Sequence, residues 1–195
     1  NNTNYLFSAT GGYFFITSHT AGLNYFNINH YLAKWKPFFR EEQTKKIFDG
    51  YVNCISESSD GHIWMGTQNS LIEWNRATNT VRFQQYGIIN GSKLEGSEEV
   101  RVICIDKRGN KWIGLNRFGV VVLNSSNRVI KYLSKDKSRN GLAGNLVNDI
   151  KEGPDGNIWI ATMGGLSIVD PVNFKIMKAD AGPVLKRLSG KYCQY

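Results

Sequence analysis

The sequence is poor in several things that would have narrowed its reading at once. It has no run of 18 apolar residues, so no segment is long enough to span a bilayer as a helix, and no stretch has the form of a secretory signal. It has only three cysteines, Cys54, Cys104 and Cys193. None shares the paired spacing of a zinc site, and an odd number gives no disulfide framework. Acidic residues are outnumbered, 16 Asp and Glu against 24 Lys and Arg, for a net charge of +8. A surplus of that sign can serve nucleic acid, but here the basic residues are scattered. The densest cluster, Lys131 to Arg139, includes Asp136 and falls mostly in a loop. With no basic stripe on a helix, the charge reads as solvated surface, and no nucleic-acid partner is expected for this region. No helix of normal length is indicated anywhere.

What the sequence has is one phrase three times. Asp60-Gly61-His62-Ile63-Trp64-Met65-Gly66-Thr67 returns as Arg108-Gly109-Asn110-Lys111-Trp112-Ile113-Gly114-Leu115, and again as Asp155-Gly156-Asn157-Ile158-Trp159-Ile160-Ala161-Thr162. Trp64 and Trp112 are 48 residues apart, and Trp112 and Trp159 are 47 apart. A fixed period in this range marks an array of equivalent supersecondary units, none able to bury its apolar face alone. Each unit reads as four short strands, A to D. In the second they are Tyr51–Ser56, Ile63–Thr67, Leu71–Asn75 and Val81–Tyr86. In the third they are Val100–Ile105, Lys111–Leu115, Val120–Asn124 and Val129–Leu133. In the fourth they are Leu146–Lys151, Ile158–Thr162, Leu166–Asp170 and Phe174–Lys178, with Pro171 and Asn173 at the last corner. Gly61, Gly109 and Gly156 mark the A–B corners, where a glycine accepts positive φ.

The first unit is degenerate. Thr10-Gly11-Gly12 stands for the Asp-Gly corner, Phe14-Phe15-Ile16-Thr17 for the tryptophan strand, Ala21 to Tyr25 for strand C and Lys34 to Phe39 for strand D. Longer polar links run from Arg40 to Gly50, Gly87 to Glu98 and Ser134 to Asn145. Four antiparallel strands per unit, about 48 residues per unit and a tryptophan on strand B describe the blades of a β-propeller, an all-β fold. The expected blades are 5–39, 50–87, 98–134 and 145–180, in one propeller region spanning 1–195, with 181–195 a tail or the start of another blade. Trp64, Trp112 and Trp159 fill the wedge between neighbouring blades. Cys54 and Cys104 occupy matching places on strand A. Facing sheets pack about 10 Å apart, too far for a disulfide, so both are expected unpaired.

The run Asp/Arg-Gly-x-x-Trp-Ile-Gly-Thr followed by Gly-Leu resembles the two-component regulator propeller repeat, written Asn-x-Val-x-x-Ile-x-x-Asp-x-x-Gly-x-Ile-Trp-Ile-Gly-Thr-x-x-Gly-Leu. The fourth unit follows it with Asn145, Val147, Ile150, Gly156, Ile158-Trp159-Ile160, Thr162 and Gly165-Leu166. The second follows with Val52, Ile55, Asp60-Gly61, Ile63 to Thr67 and Leu71, but Ser70 replaces the glycine. The third has Gly119-Val120 for Gly-Leu, and the first lacks the tryptophan. The resemblance implies the extracytoplasmic, periplasmic sensor region of a membrane-anchored hybrid two-component regulator, one that senses glycan breakdown products and passes the signal to a histidine kinase. No kinase nucleotide box occurs in this sequence. Four repeats fall short of the usual seven blades, which leaves an open arc of a larger propeller, a compact four-bladed ring, or half of a dimeric ring; a fragment, or partial propeller, is the expected case. An exposed blade face at each end favours a homodimer.

No catalytic constellation is visible. His19, His30 and His62 make no metal or triad spacing, and no cofactor motif occurs, so neither an enzyme nor a metal or cofactor site is expected. Glu98-Glu99 reads as the solvated start of strand A, with the two side chains on opposite faces. In a propeller the B–C turns and D-to-A links share the face around the channel mouth. That face gathers Gln68, Asn69, Asn116, Arg117 and Phe118, with Arg139 from a link, as the expected ligand site; His19, Thr20, Met163, Asn90, Lys93, Lys137 and Asn140 lie on the same side. Amides, an arginine and an aromatic ring suit the hydroxyls of an oligosaccharide or the carboxylate of an acidic sugar. The alternative is a protein-interaction or dimerisation module with no small ligand.

Overall fold

In a computed structural model, which describes residues 5–18, 22–29, 36–37, 52–84, 88–89, 92–93, 98–136 and 141–177, the repeated phrase becomes four separate four-stranded antiparallel sheets. Blade 1 holds β1 (Tyr5–Ala9), β2 (Tyr13–Ser18), β3 (Gly22–Asn27) and β4 (Lys36–Pro37). Blade 2 holds β5 (Val52–Glu57), β6 (Ile63–Thr67), β7 (Leu71–Asn75) and β8 (Thr80–Gln84). A two-residue ribbon, β9 (Ile88–Ile89) with β10 (Ser92–Lys93), lies in the polar link from Gly87 to Glu98. Blade 3 holds β11 (Val100–Ile105), β12 (Lys111–Leu115), β13 (Val120–Leu123) and β14 (Val129–Leu133). Blade 4 holds β15 (Val147–Glu152), β16 (Ile158–Thr162), β17 (Gly165–Val169) and β18 (Ile176–Met177). Every sheet runs in simple meander order, the pattern of propeller blades. Phe174, expected on the last strand, sits instead in the C–D corner with φ +59°, as Asn79 and Asn127 do in blades 2 and 3.

The A–B corners are three-residue hairpin loops. Ser58 N–H bonds His62 O, and Gly61 N–H returns to Ser58 O at 2.8 Å. Asp106 with Asn110 and Gly109, and Gly153 with Asn157 and Gly156, repeat both bonds. Gly61, Gly109 and Gly156 hold φ of +80°, +79° and +77°. This is a type I turn closed by a left-handed glycine, which explains glycine there and the free choice of Asp60, Arg108 or Asp155 before it. In blade 1, Gly12 at φ +76° takes that role, which places Phe15 at the tryptophan position.

Strand alternation then builds three cores, one per blade interface. Ile63 and Met65 face blade 1 and pack with Phe15, Leu23 and Trp74. Trp64 points the other way and packs with Val100, Ile113 and Leu115 of blade 3. Trp112 packs with Val147, Ile158 and Ile160 of blade 4. Trp64 and Trp112 are 1% and 0% exposed, so these two indoles fill interblade wedges. Trp159 alternates with Ile158 and Ile160; it therefore lies on the side of blade 4 away from blade 3, and is half-buried.

The Gly of Trp-Ile-Gly-Thr has its own cause. A Cβ on Gly114 would lie 2.5 Å from Val102 Cγ1 and 2.7 Å from Val147 Cγ1 of the next blade. A Cβ on Gly66 would collide likewise with Val100 and Cys54. Blades approach at strand B only because that position has no side chain. Cys54 and Cys104 are free thiols beside these contacts; burial pushes them up to about 12 and about 11. Cys193 lies outside the described residues.

Candidate functional site

Two B–C turns and one link converge on a cleft of about 320 Å³ lined by Gln68, Asn69, Glu98, Glu99, Asn116 and Arg117. In blade 2 the turn is shaped by Thr67, whose hydroxyl oxygen accepts the N–H of Asn69 at 3.2 Å and of Ser70 at 2.9 Å. That leaves Gln68 and Asn69 exposed at the tip. In blade 3 the turn is longer. Leu115 N–H bonds Gly119 O and Gly119 N–H bonds Asn145 O, both at 2.8 Å. Gly119 has φ +81°, and a Cβ there would strike the carbonyl of Leu133. The bulged loop Asn116-Arg117-Phe118 is therefore pinned at both ends, and Asn116 N–H bonds Glu99 O at 3.1 Å across the cleft floor.

The charged groups are arranged in a definite order. Glu98 is 3% exposed, and its Oε1 accepts from Arg117 Nε at 2.9 Å and Nη2 at 2.7 Å. The reading of Glu98 as a solvated residue is thus corrected. Its side chain is drawn in because Arg117 folds over it, and a buried carboxylate requires such a partner. Glu99 is half-buried and accepts from Asn53 Nδ2 at 3.3 Å. Glu98 and Glu99 precede β11, so strand alternation does not separate them and both border the cleft. Arg101 donates from Nε to Val147 O at 3.1 Å and makes a long 3.5 Å contact from Nη1 to Asn116 Oδ1. Tyr132 packs against the neighbouring core; burial pushes its phenol up, aided by the charge on Glu98 and opposed by a hydrogen bond with Ser134.

Of the six residues expected to form a ligand site, the fold brings Gln68, Asn69, Asn116 and Arg117 round one cleft. Phe118 does not line it. Its ring packs against the core between blades 2 and 3, with the Arg117 guanidinium 5.8 Å from its centre. Arg139 lies outside the described residues, as do His19, Thr20, Asn90, Lys137 and Asn140. Glu98 and Glu99 are the lining residues that the sequence reading left out; their place directly before a strand A, on the turn-bearing face, was the available signal.

Among the described residues no group of three or more His, Cys, Asp and Glu side chains could hold a metal ion. No helix among them is long and apolar enough to cross a membrane. The cleft offers amide donors and acceptors, a guanidinium and two carboxylates, a set suited to hydrogen-bonding a hydroxylated small molecule.

Comparison with known proteins agrees with this architecture. Residues 46–69 and 141–164 match the family model described as Two component regulator propeller. No curated protein matches the chain. Among solved structures, the extracellular domain of BT3049 from B. thetaiotaomicron, described as a hybrid two component system, superposes with TM-score 0.70 at 20% identity over 89% of this chain and 23% of its own. The extracellular domain of BT4673 from the same organism gives 0.66 at 20% identity over 86% and 21%. PorZ of Porphyromonas gingivalis, a surface component of the type-IX secretion system, gives 0.65 at 14% identity over 85% and 25%. The chain thus spans a quarter or less of the length of these structures. It is a β-propeller region in which two segments match the two-component regulator propeller repeat.

Proposed function

We propose that this propeller is a non-catalytic, ligand-sensing module of a bacterial hybrid two-component regulator. Its ligand is an oligosaccharide or similar small molecule released from glycans, bound in the periplasm and signalled to a kinase elsewhere in a membrane-anchored parent. The observation that carries the reading is the cleft of Gln68, Asn69, Asn116 and Arg117 on the turn-bearing face. Three amides and a positioned guanidinium suit hydroxyl recognition. The family match and the likeness to extracellular regions of hybrid two-component systems support the signalling context. The test is a thermal-shift and calorimetric survey of the chain against a broad panel of mono- and oligosaccharides. A saturable response that falls in an Asn69→Ala, Asn116→Ala double variant is expected. No response across the panel overturns the reading.

A second reading is favoured by one observation. Trp159 is half-buried on the side of blade 4 away from blade 3, and Met163 and Met177 of the same blade are 38% exposed each. That surface supports a homodimer or protein-docking role in place of ligand sensing. A mass that rises with concentration in sedimentation, without any sugar binding, would favour it.

A further inference from the structure

The cleft has a charge character that the residue types alone do not give. We infer that it takes a small hydroxylated ligand carrying a protonated amine, an amino sugar in chemical class, and disfavours carboxylated sugars. The inference rests on reading this cleft as the ligand site.

Three observations carry it. First, Arg117, the lining cation, already has its guanidinium on Glu98 through two hydrogen bonds of 2.9 and 2.7 Å. A ligand carboxylate would have to compete for that guanidinium with a carboxylate that is itself 3% exposed and already bonded to it. Secondly, Glu99 is left over. Its neighbour is the neutral amide of Asn53 at 3.3 Å, and among the described residues no lysine or arginine forms an ion pair with it. The lining therefore holds two carboxylates against one guanidinium, although the whole chain carries +8. Arg101 also reaches a lining residue, but its Nε is held by Val147 O and its Nη1 makes only a 3.5 Å contact with Asn116 Oδ1, so among the described residues Glu99 keeps no cation of its own. Thirdly, the volume, about 320 Å³, is at the small end of ligand pockets, and the other lining groups are amides able to donate and accept to hydroxyls. An ammonium at Glu99 with hydroxyls on Gln68, Asn69 and Asn116 uses every one of these groups, and leaves the Glu98–Arg117 pair intact.

The test is ligand-observed NMR titration of the chain with four probes: glucosamine, its neutral N-acetyl counterpart, glucose and glucuronate. Glucosamine is expected to bind about tenfold more tightly than glucose, as one charge-assisted hydrogen bond allows, with glucuronate weakest. The preference should shrink as salt rises. In Glu99→Gln, glucosamine should fall to the level of glucose while glucose is unchanged. The N-acetyl comparison reads the same charge effect in the wild-type chain, so the test survives a variant that fails to fold. Glucuronate binding as well as glucosamine, or a preference that persists in Glu99→Gln, overturns the inference while leaving the cleft as a sugar site. Absence of binding by all four, glucose included, overturns both.

Discussion

The ammonium of Lys111 lies 5.0 Å from the centre of the Trp64 ring, inside the seam between blades 2 and 3. Lys111 is 5% exposed and stands where the other two motif repeats have Ile63 and Ile158. Its Nζ donates to Asn127 Oδ1 at 2.8 Å, Ser125 O at 3.1 Å and Asn124 O at 3.3 Å. Burial pulls its pKa down, and the charges of Asp60, Glu73 and Asp106 oppose that pull. Glu73 is also buried, held by His62 Nδ1 at 2.7 Å and Gln84 Nε2 at 2.6 Å. The lysine is thus the cation of a polar cluster under the indole.

Replacing Lys111 with methionine keeps most of the volume and removes the charge. A well-packed apolar substitute for a whole buried ion cluster can be neutral, but here the carboxylates remain and would lose their cation. Lys111→Met should therefore lower unfolding free energy by about 1–3 kcal/mol at pH 7. Urea denaturation followed by Trp fluorescence measures it. A variant as stable as wild type would show that His62 and Gln84 suffice for Glu73.

The other two seams use the opposite sign at a neighbouring position. Glu57 Oε2 accepts the N–H of Thr10 at 2.7 Å, and Glu152 Oε2 accepts the N–H of Lys107 at 2.9 Å. Each acid ends a strand A and holds the corner of the preceding blade. At the seam between blades 2 and 3 the corresponding residue is Ile105, and Lys111 is paired directly beside it. Glu57 does more than Glu152, since Arg76 also binds it and donates onward to Thr10 O at 2.7 Å and Gly61 O at 3.0 Å. Lys107 is 77% exposed and 3.9 Å from Glu152, a weak pair. Glu57→Ala should cost about 2–3 kcal/mol and Glu152→Ala about 1 kcal/mol. Equal losses in chemical denaturation would contradict the role given to Arg76.

These seams show where sequence reading reached and where it stopped. The tryptophan period marked three of the four blade sheets, and alternation about Trp64 and Trp112 located two of the three cores, because side-chain direction along a strand has period two. Gly61, Gly109 and Gly156 marked the corners because their backbone requires positive φ. The partners across a seam are a different matter. Thr10 and Glu57 are 47 residues apart, and nothing local in either residue announces the other. Glu98 was hidden for the same reason: its burial comes from Arg117, 19 residues later and folded back by the turn at Gly119. Phe118 looked like an exposed loop aromatic because nothing nearby in sequence shows the core beneath it.

The two kinds of motif glycine should fail differently when changed to alanine. At Gly156 an added Cβ meets nothing within 4 Å, so only the left-handed backbone, φ +77°, resists it. The cost should be about 1–2 kcal/mol. At Gly114 the backbone is not in that region, but the Cβ would press on Val102 and on Val147 of the next blade. Overpacking of this kind costs about 1–3 kcal/mol and moves the blades apart. Gly114→Ala should therefore increase hydrogen exchange on both β11 and β15, whereas Gly156→Ala should affect only its own corner. Exchange mass spectrometry separates the two patterns.

The corner carboxylates set an acid limit. In Asp60, partial burial acts to raise the pKa, but the Ser58 hydroxyl, the His62 N–H and the charge on Lys111 outweigh it and hold the group below its ordinary 3.8. A carboxylate with a lowered folded-state pKa binds fewer protons than its unfolded counterpart. Its contribution to stability is complete above the unfolded value and is lost as pH falls through the folded one. Asp60→Asn keeps an acceptor for Ser58 and His62 but cannot titrate. The melting temperature of wild type should exceed that of the variant at pH 6, and the difference should close as pH falls below about 4. A difference that stays constant from pH 6 to pH 3 would mean that the Asp60 charge does not contribute to the corner.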